Sequence, residues 1–247
     1  MIRPLIFDTS LFGYRVGKWE SSASDPDVNS LFDQAGNFDL VYVFGEARAI
    51  PEGHCQPIST RVVWEKQFSQ VASLLKAESP CFKMGKIEGL SISKWEETVL
   101  NESDQSAIRD LVLTCGAFSR FNKDPFMVNN EYEKLYTQWW LNVVKQKKPI
   151  HLARINKEIA GLITLGFSQN SCHVDLFAVL PQFQRMGIGW KLLLKAMQTA
   201  RESGMETLDL ATQKDNVKAM GFYEKAGFRK LNETIIQHWR PKGLKNG

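Results

Sequence analysis

The stretch Gln184–Trp190, "QRMGIGW", decides how the rest of this chain is read. Gly187 and Gly189 stand one residue apart, after a strand-like run and before a helix-like one. Glycines at that spacing bare peptide N–H groups for close contact, and a helix N-terminus just beyond them favours an anion. The candidate guest is a phosphate. No Lys-Ser or Lys-Thr follows the second glycine, so the loop is not a Walker loop. In a dinucleotide fingerprint the third glycine would fall at Leu192, so that reading fails as well. By themselves two glycines fit plain helix packing too, and the flanking segments have to decide.

Upstream, "CHVDLFAVL" (172–180), "IAGLITLGFS" (159–168) and "PIHLARI" (149–155) read as strands separated by short turns. Downstream, residues 188–203 place Ile188, Leu192, Leu193, Ala196, Met197 and Ala200 on one helical face, with Gly204 as a stop. "METLDLAT" then reads as a strand, and "NVKAMGFYEKAG" as a short helix with Asn216 as N-cap and Gly227 at C′. "FRKLNETIIQHWR" closes with a strand. Before the three strands lie two helices. One holds Ile108, Leu111, Val112 and Cys115 at helical spacing; the other, 131–146, holds Tyr132, Leu135, Tyr136, Trp139, Trp140 and Val143. Residues 119–130 read as polar and irregular. Nearer the start come a helix with Val28, Leu31 and Phe32 on one face, strands at 38–45 and 59–68, and a segment 71–80 ending around Pro80. The expectation is an α/β (α+β) chain with a mixed central sheet. A smaller N-terminal α/β domain (1–90) would contribute to an acceptor side, and a second domain (91–247) would carry the glycine loop.

Bulk properties narrow the function. A net charge of +4, from 31 basic and 27 acidic residues, is too small and scattered to argue for nucleic acid. Cys55, Cys81, Cys115 and Cys172 form no C-x-x-C pair, and His54, His151, His173 and His238 show no ligand spacing, so no metal is expected. Scattered cysteines, an early acid in "MIRPLIFDTSLFGYR" and the lack of a long apolar run point to a cytoplasmic protein with neither leader nor membrane span.

The order strand, Q-R-x-G-x-G, helix, strand, then "N-x-x-A-x-x-F-Y-E-K-A-G-F" (216–228) resembles the GNAT superfamily of acyl-coenzyme A transferases. That likeness covers roughly residues 93–247. Three further stretches, "FDTSLFG" (7–13), "SRF…P" (119–125) with "Y…W…N" (136–142), and "ATQ…N…A…Y…G" (211–227), resemble sugar-nucleotide acetyltransferases of the dTDP-fucosamine type, which modify dTDP-4-amino-4,6-dideoxygalactose. The resemblance implies the GNAT fold, acetyl-CoA as co-substrate and an amine on a nucleotide sugar as acceptor, in lipopolysaccharide or other surface-polysaccharide synthesis. Members often pair as homodimers. Alternative acceptors are a peptide N-terminus, a polyamine or another small amine, and a non-catalytic acyl-CoA sensor is a third class.

The resemblance also assigns roles. Gln184, Arg185, Met186, Gly187, Ile188, Gly189 and Trp190 would hold the coenzyme pyrophosphate, chiefly through backbone N–H groups. The strand edge Phe177, Ala178, Val179 would pair with its amide arm, leaving an N–H near Val179 or Leu180 for the developing oxyanion. Asn216 would bind the arm or simply cap its helix. Tyr223 is the expected general acid, since a phenol keeps its proton at neutral pH. Arg120 would meet the acceptor's diphosphate, with Phe121, Tyr136 and Trp140 available for stacking or for a core stripe. No carboxylate is a convincing base; Ser59 and Thr60 stand at the expected active-site end of their strand, with Glu65 further along.

Overall fold

The computed structural model describes residues 1–20, 28–45, 55–68, 87–96 and 100–243. His54, Cys81 and the stretch 71–80 lie outside the described residues. The elements run β1 (Arg3–Pro4), α1 (Ile6–Phe12), β2 (Val16–Glu20), α2 (Val28–Ala35), β3 (Leu40–Phe44), β4 (Cys55–Gln67), β5 (Leu90–Lys94), α3 (Glu102–Cys115), α4 (Arg120–Lys123) and α5 (Glu131–Lys145). They continue with β6 (Ile150–Ile155), β7 (Glu158–Ser168), β8 (Ser171–Val179), α6 (Ile188–Glu202), β9 (Thr207–Gln213), α7 (Val217–Lys225) and β10 (Arg229–Trp239).

All ten strands join one mixed sheet in the order β1-β2-β3-β10-β4-β9-β8-β7-β6-β5. Among the described strands only β2–β3 and β8–β9 pair in parallel. The sheet runs through both sequence regions, because β10 pairs along β4 and, from Ile236 to Trp239, also along β3. Ile236 and Trp239 are fully buried there, and Trp239 meets the Phe32 ring edge-on at 5.1 Å. Strands β3, β6 and β7 bury consecutive side chains on both faces, so both faces need cover.

On one face Val62 and Trp64 of β4 pack with α6 and α7, and Val41 and Val43 of β3 pack with α2. On the other, α3 and α5 cover β6–β8. Farther along that face α1 and α4 cover Leu40 and Tyr42, and Tyr132 and Leu135 of α5 join the two clusters. No helix among the described residues is long and apolar enough to cross a membrane.

Five elements, β1, α1, β2, β5 and α4, were not expected from sequence. Helix α1 exposes Ile6 and Phe7, so it has no apolar stripe to read. It is ended by Gly13 in the left-handed region (φ 80), whose N–H donates to Thr9 O, and by Thr9 Oγ1 accepting from Val16 N at 3.0 Å. Strand β5 and the single turn α4 are short, and only their pairing or packing defines them.

Candidate active site

The site begins where β8 leaves β9. These strands pair only over Ser171–His173, against Thr207–Asp209. Just beyond, β8 carries an extra residue relative to β7, since Ile163 faces Phe177 while Leu165 faces Val174. Such a bulge bends a strand. Buried Thr164 holds it by accepting from Leu176 N at 3.0 Å. Past the bulge, Leu180 N donates to Ala160 O while Val179 stands opposite Gly161. In an antiparallel ladder that pattern turns the N–H and C=O groups of Phe177 and Val179 away from β7. They form a strand edge facing the gap towards β9, with Val179 O taken up by Gln184 Nε2. An extended amide-bearing chain can pair with such an edge. Leu180 is therefore removed as an oxyanion donor, because its N–H is committed to β7; Val179 N–H remains.

The edge leads into the glycine loop. Pro181–Phe183 form a 3-10 turn, Arg185 and Gly187 take left-handed backbone (φ 65 and 88), and Gly187 is the N-cap of α6 with no side-chain cap. Helix geometry leaves the first-turn N–H groups of Ile188 and Gly189 without intrahelical acceptors. Gly187 is required by its own φ. Gly189 is not: a Cβ there would lie 3.7 Å from Phe177 Cζ and Val179 Cγ2, an ordinary contact. Internal packing would accept alanine, so the bare backbone at 189 fits the close approach of a guest such as the coenzyme pyrophosphate. The Ile188 and Trp190 side chains are buried in the core, Trp190 edge-on to Phe222 at 6.0 Å, while Arg185 and Met186 are exposed. Gln184 Nε2 donates to Val179 O at 3.0 Å and so closes the loop back onto the edge.

Helix α7 forms the other wall. Asn216 is its N-cap: Oδ1 accepts from Ala219 N and Nδ2 donates to Thr212 Oγ1, both at 3.3 Å. The buried Tyr223 ring lies among Trp64, Phe222 and Phe228. Burial, then the neighbouring Cys115 thiol, push its phenol above the ordinary tyrosine range, so it stays protonated at neutral pH. Cys115 read in sequence as one more apolar position. The fold instead sets its sulfur at the end of α3 against Phe177 N–H on the open edge, and burial pushes the thiol up to about 12. Tyr223, Cys115 and the free edge thus meet in one place.

The residues expected on the acceptor side gather around α4. The guanidinium of Arg120 sits 4.2 Å from the Phe121 ring, 4.7 Å from Tyr42 and 5.8 Å from Phe44. Its Nε is buried without a partner among the described residues. Phe121 and Tyr136 are buried, and Gly116 allows this: a Cβ there would come within 2.4 Å of the Tyr136 ring. Trp140 packs on Trp95 at 5.7 Å. Ser59 Oγ is buried without a partner among the described residues, whereas Glu65 is paired with Arg229 at 2.7 Å.

A buried pair next to the site is structural. His238 Nδ1 donates to Asp124 Oδ2 at 2.5 Å, and Arg240 adds a second bond to that oxygen at 2.6 Å. Burial raises the Asp124 carboxyl, but these donors outweigh it and hold it at about 2.

The chain is similar in sequence and fold to known proteins. The Acetyltransferase (GNAT) family model matches residues 116–228. The spore coat polysaccharide biosynthesis protein SpsD of Bacillus subtilis (strain 168) is 25% identical over 217 residues, covering 86% of this chain and 71% of that protein. The uncharacterized N-acetyltransferase YvbK of the same organism is 29% identical over 94 residues, 36% of this chain and 61% of that protein. Among solved structures, a functionally unknown conserved protein from Staphylococcus epidermidis ATCC 12228 matches 96% of this chain and 91% of its own, with a TM-score of 0.61 at 12% identity. A GCN5-related N-acetyltransferase from Sphaerobacter thermophilus matches 82% of this chain and 60% of its own, with a TM-score of 0.58 at 14% identity. At such identities the two structures speak for the fold alone.

Proposed function

We propose that the chain, whose residues 116–228 match the Acetyltransferase (GNAT) family model, takes acetyl groups from acetyl-CoA and passes them to the amine of a nucleotide-activated amino sugar used in surface-polysaccharide synthesis. A dTDP-4-amino-4,6-dideoxyhexose is the acceptor type that the sequence resemblance favours. The observation that carries the reading is Arg120, a guanidinium walled by aromatic rings with a buried, unpaired Nε–H. Planar guanidinium suits the oxygens of a phosphate. The likeness to SpsD lends support, because it spans 86% of the chain and so extends beyond the family match.

When bound, acetyl-CoA supplies a thioester whose carbonyl carbon is open to attack by a neutral amine. The chain's own groups divide the remaining work. First-turn N–H groups of α6, bared by Gly187 and Gly189, hold the pyrophosphate, and the Phe177–Val179 edge holds the amide arm. Val179 N–H is the donor available to the carbonyl oxygen as charge develops. Tyr223 offers its phenolic proton to the sulfur, a role that its buried ring and high pKa suit. Arg120 anchors the acceptor so that its amine is held near the thioester, which converts an encounter into an oriented reaction.

The test is to supply acetyl-CoA with a panel of dTDP- and UDP-linked amino sugars, polyamines and peptides, and to follow release of free thiol. Fast release with a dTDP-4-amino-6-deoxyhexose is expected. Release only with a polyamine or a peptide would overturn the nucleotide-sugar reading and leave the acetyltransferase intact.

A further inference from the structure

The floor beneath Arg120 contains a second arginine that the coenzyme machinery does not use. Arg61 of β4 stands directly across from Gln213 of β9. Directly opposed residues of an antiparallel pair point their side chains to the same face. Ser59, two residues earlier, shares that face, whereas Val62 and Trp64 point to the opposite one, towards α6 and α7. Helix α4 lies over this end of the sheet: Lys123 is ion-paired with Asp215, two residues beyond Gln213. Arg120, one turn before Lys123, lies on the helix that packs over β4, which carries Arg61, and the two charges disfavour one another.

Neither is ion-paired. No carboxylate among the described residues lies within ion-pair distance of Arg61 or Arg120; Asp209 on β9 is the acid whose charge Arg61 feels, and Asp8 on α1 the one Arg120 feels. Burial disfavours the charge on both arginines. Three polar atoms around them, Arg120 Nε, Ser59 Oγ and Gln213 Oε1, are buried with no partner among the described residues. Two converging cations and unsatisfied polar groups are costly in an empty site and favourable once a polyanion enters. Arg61 is the more exposed of the two and Arg120 the deeper, its Nε fully buried.

We infer that Arg61 and Arg120 form a two-guanidinium clamp for the diphosphate of a nucleoside diphosphate acceptor, with Ser59 donating to the same group and Gln213 receiving a hydroxyl or amine beside it. The nucleotide part rests on the nucleotide-sugar reading above; the clamp itself rests on the cation pair. Arg61, which sequence alone left as a strand residue, becomes a specificity-determining residue.

The test is titration of dTDP into enzyme saturated with acetyl-CoA, so that the coenzyme's own phosphate site is filled, for wild type, Arg61→Ala and Arg120→Lys. Arg61→Ala acts on an exposed side chain and Arg120→Lys keeps the charge while losing the fork, so both are expected to fold. Each should weaken dTDP about tenfold to a hundredfold, the range of one lost charge-assisted pair. Thymidine should bind far more weakly than dTDP, and acetyl-CoA affinity should not change. Equal dTDP affinity in wild type and Arg61→Ala, alongside normal turnover of a dTDP-amino sugar, would overturn the clamp and leave the function standing. Arginine-dependent binding of dTDP or inorganic pyrophosphate without turnover of any nucleotide sugar would support the clamp and overturn the nucleotide-sugar acceptor.

Discussion

Gly189→Ala should make the protein more stable and bind its coenzyme worse. The position lies in the first turn of α6. Its backbone is compatible with any residue, and a new Cβ would touch Phe177 Cζ and Val179 Cγ2 at 3.7 Å and Phe222 Cζ at 4.0 Å, none of them a clash. Alanine in a helix is favoured over glycine by about 0.5–1 kcal/mol. For a chain of this size that corresponds to a rise in Tm of about 1–4 °C. On the proposed binding mode the coenzyme pyrophosphate meets the first-turn N–H groups of α6, and a methyl group at 189 would crowd that approach. A loss of one close backbone contact to a charged group is about 1.5–3 kcal/mol, which predicts roughly ten- to a hundredfold weaker acetyl-CoA binding. Thermal melts and calorimetric titration of acetyl-CoA read the two effects separately. Gly187→Ala is the control: Gly187 sits at φ 88, where alanine is strained by about 1–2 kcal/mol, so that variant should lose stability as well as affinity. Wild-type acetyl-CoA affinity in Gly189→Ala would refute the argument that the glycine is kept for a guest, and a lowered Tm would refute the packing argument beneath it.

The other predictions concern the acid, the thiol and pH. Tyr223→Phe keeps a ring held by Trp64, Phe222 and Phe228, so the melting point should hardly move while kcat falls about 10²–10⁴-fold; the defect should shrink above pH ~8.5, where a thiolate leaves unprotonated, and turnover within threefold of wild type at pH 7 would end the general-acid role. Cys115 faces the Phe177 N–H that the coenzyme arm needs, so a small thiol-disulfide reagent should inactivate the enzyme slowly, acetyl-CoA should protect, and Cys115→Ala should resist; protection that fails to appear would place the thiol elsewhere. His238 is lowered to about 4, because burial outweighs its bond to Asp124. An unfolded histidine titrates near 6.5, so the stability it contributes is whole above pH ~6.5 and is lost as pH falls through 4. That is about 3 kcal/mol at ~1.36 kcal/mol per pH unit. His151, also near 4, acts in the same sense, so His238→Gln should remove roughly half the slope seen by urea unfolding between pH 7 and 4.5, and a wild type equally stable across that range would contradict the burial argument.

Local chemistry made much of this protein legible in its sequence. Strands β6–β9 and helices α5–α7 follow from alternation, helical spacing and caps, because those signals act within a few residues. The loop at 184–190 and the Asn216 cap are local in the same way, since Gly187 and Asn216 meet backbone demands of their own turns. Arg120 and Tyr223 were singled out only through motif resemblance, as nothing local distinguishes them from a surface arginine or a core tyrosine. The rest depends on contacts far apart in the chain. Whether Leu180 or Val179 offers a free N–H depends on register with β7 and on the bulge held by Thr164. Cys115 changes from an apolar helix position to a neighbour of Phe177 and Tyr223 because α3 ends over the open edge. Arg61 meets Arg120, 59 positions away in sequence, because β10 threads between β3 and β4 and Lys123 ties α4 to Asp215. The sequence by itself determined which segments bend, cap and bare their backbone; the tertiary structure decided which strand edge stays open and which charges face one another, because both are properties of pairing between strands and no single strand carries them.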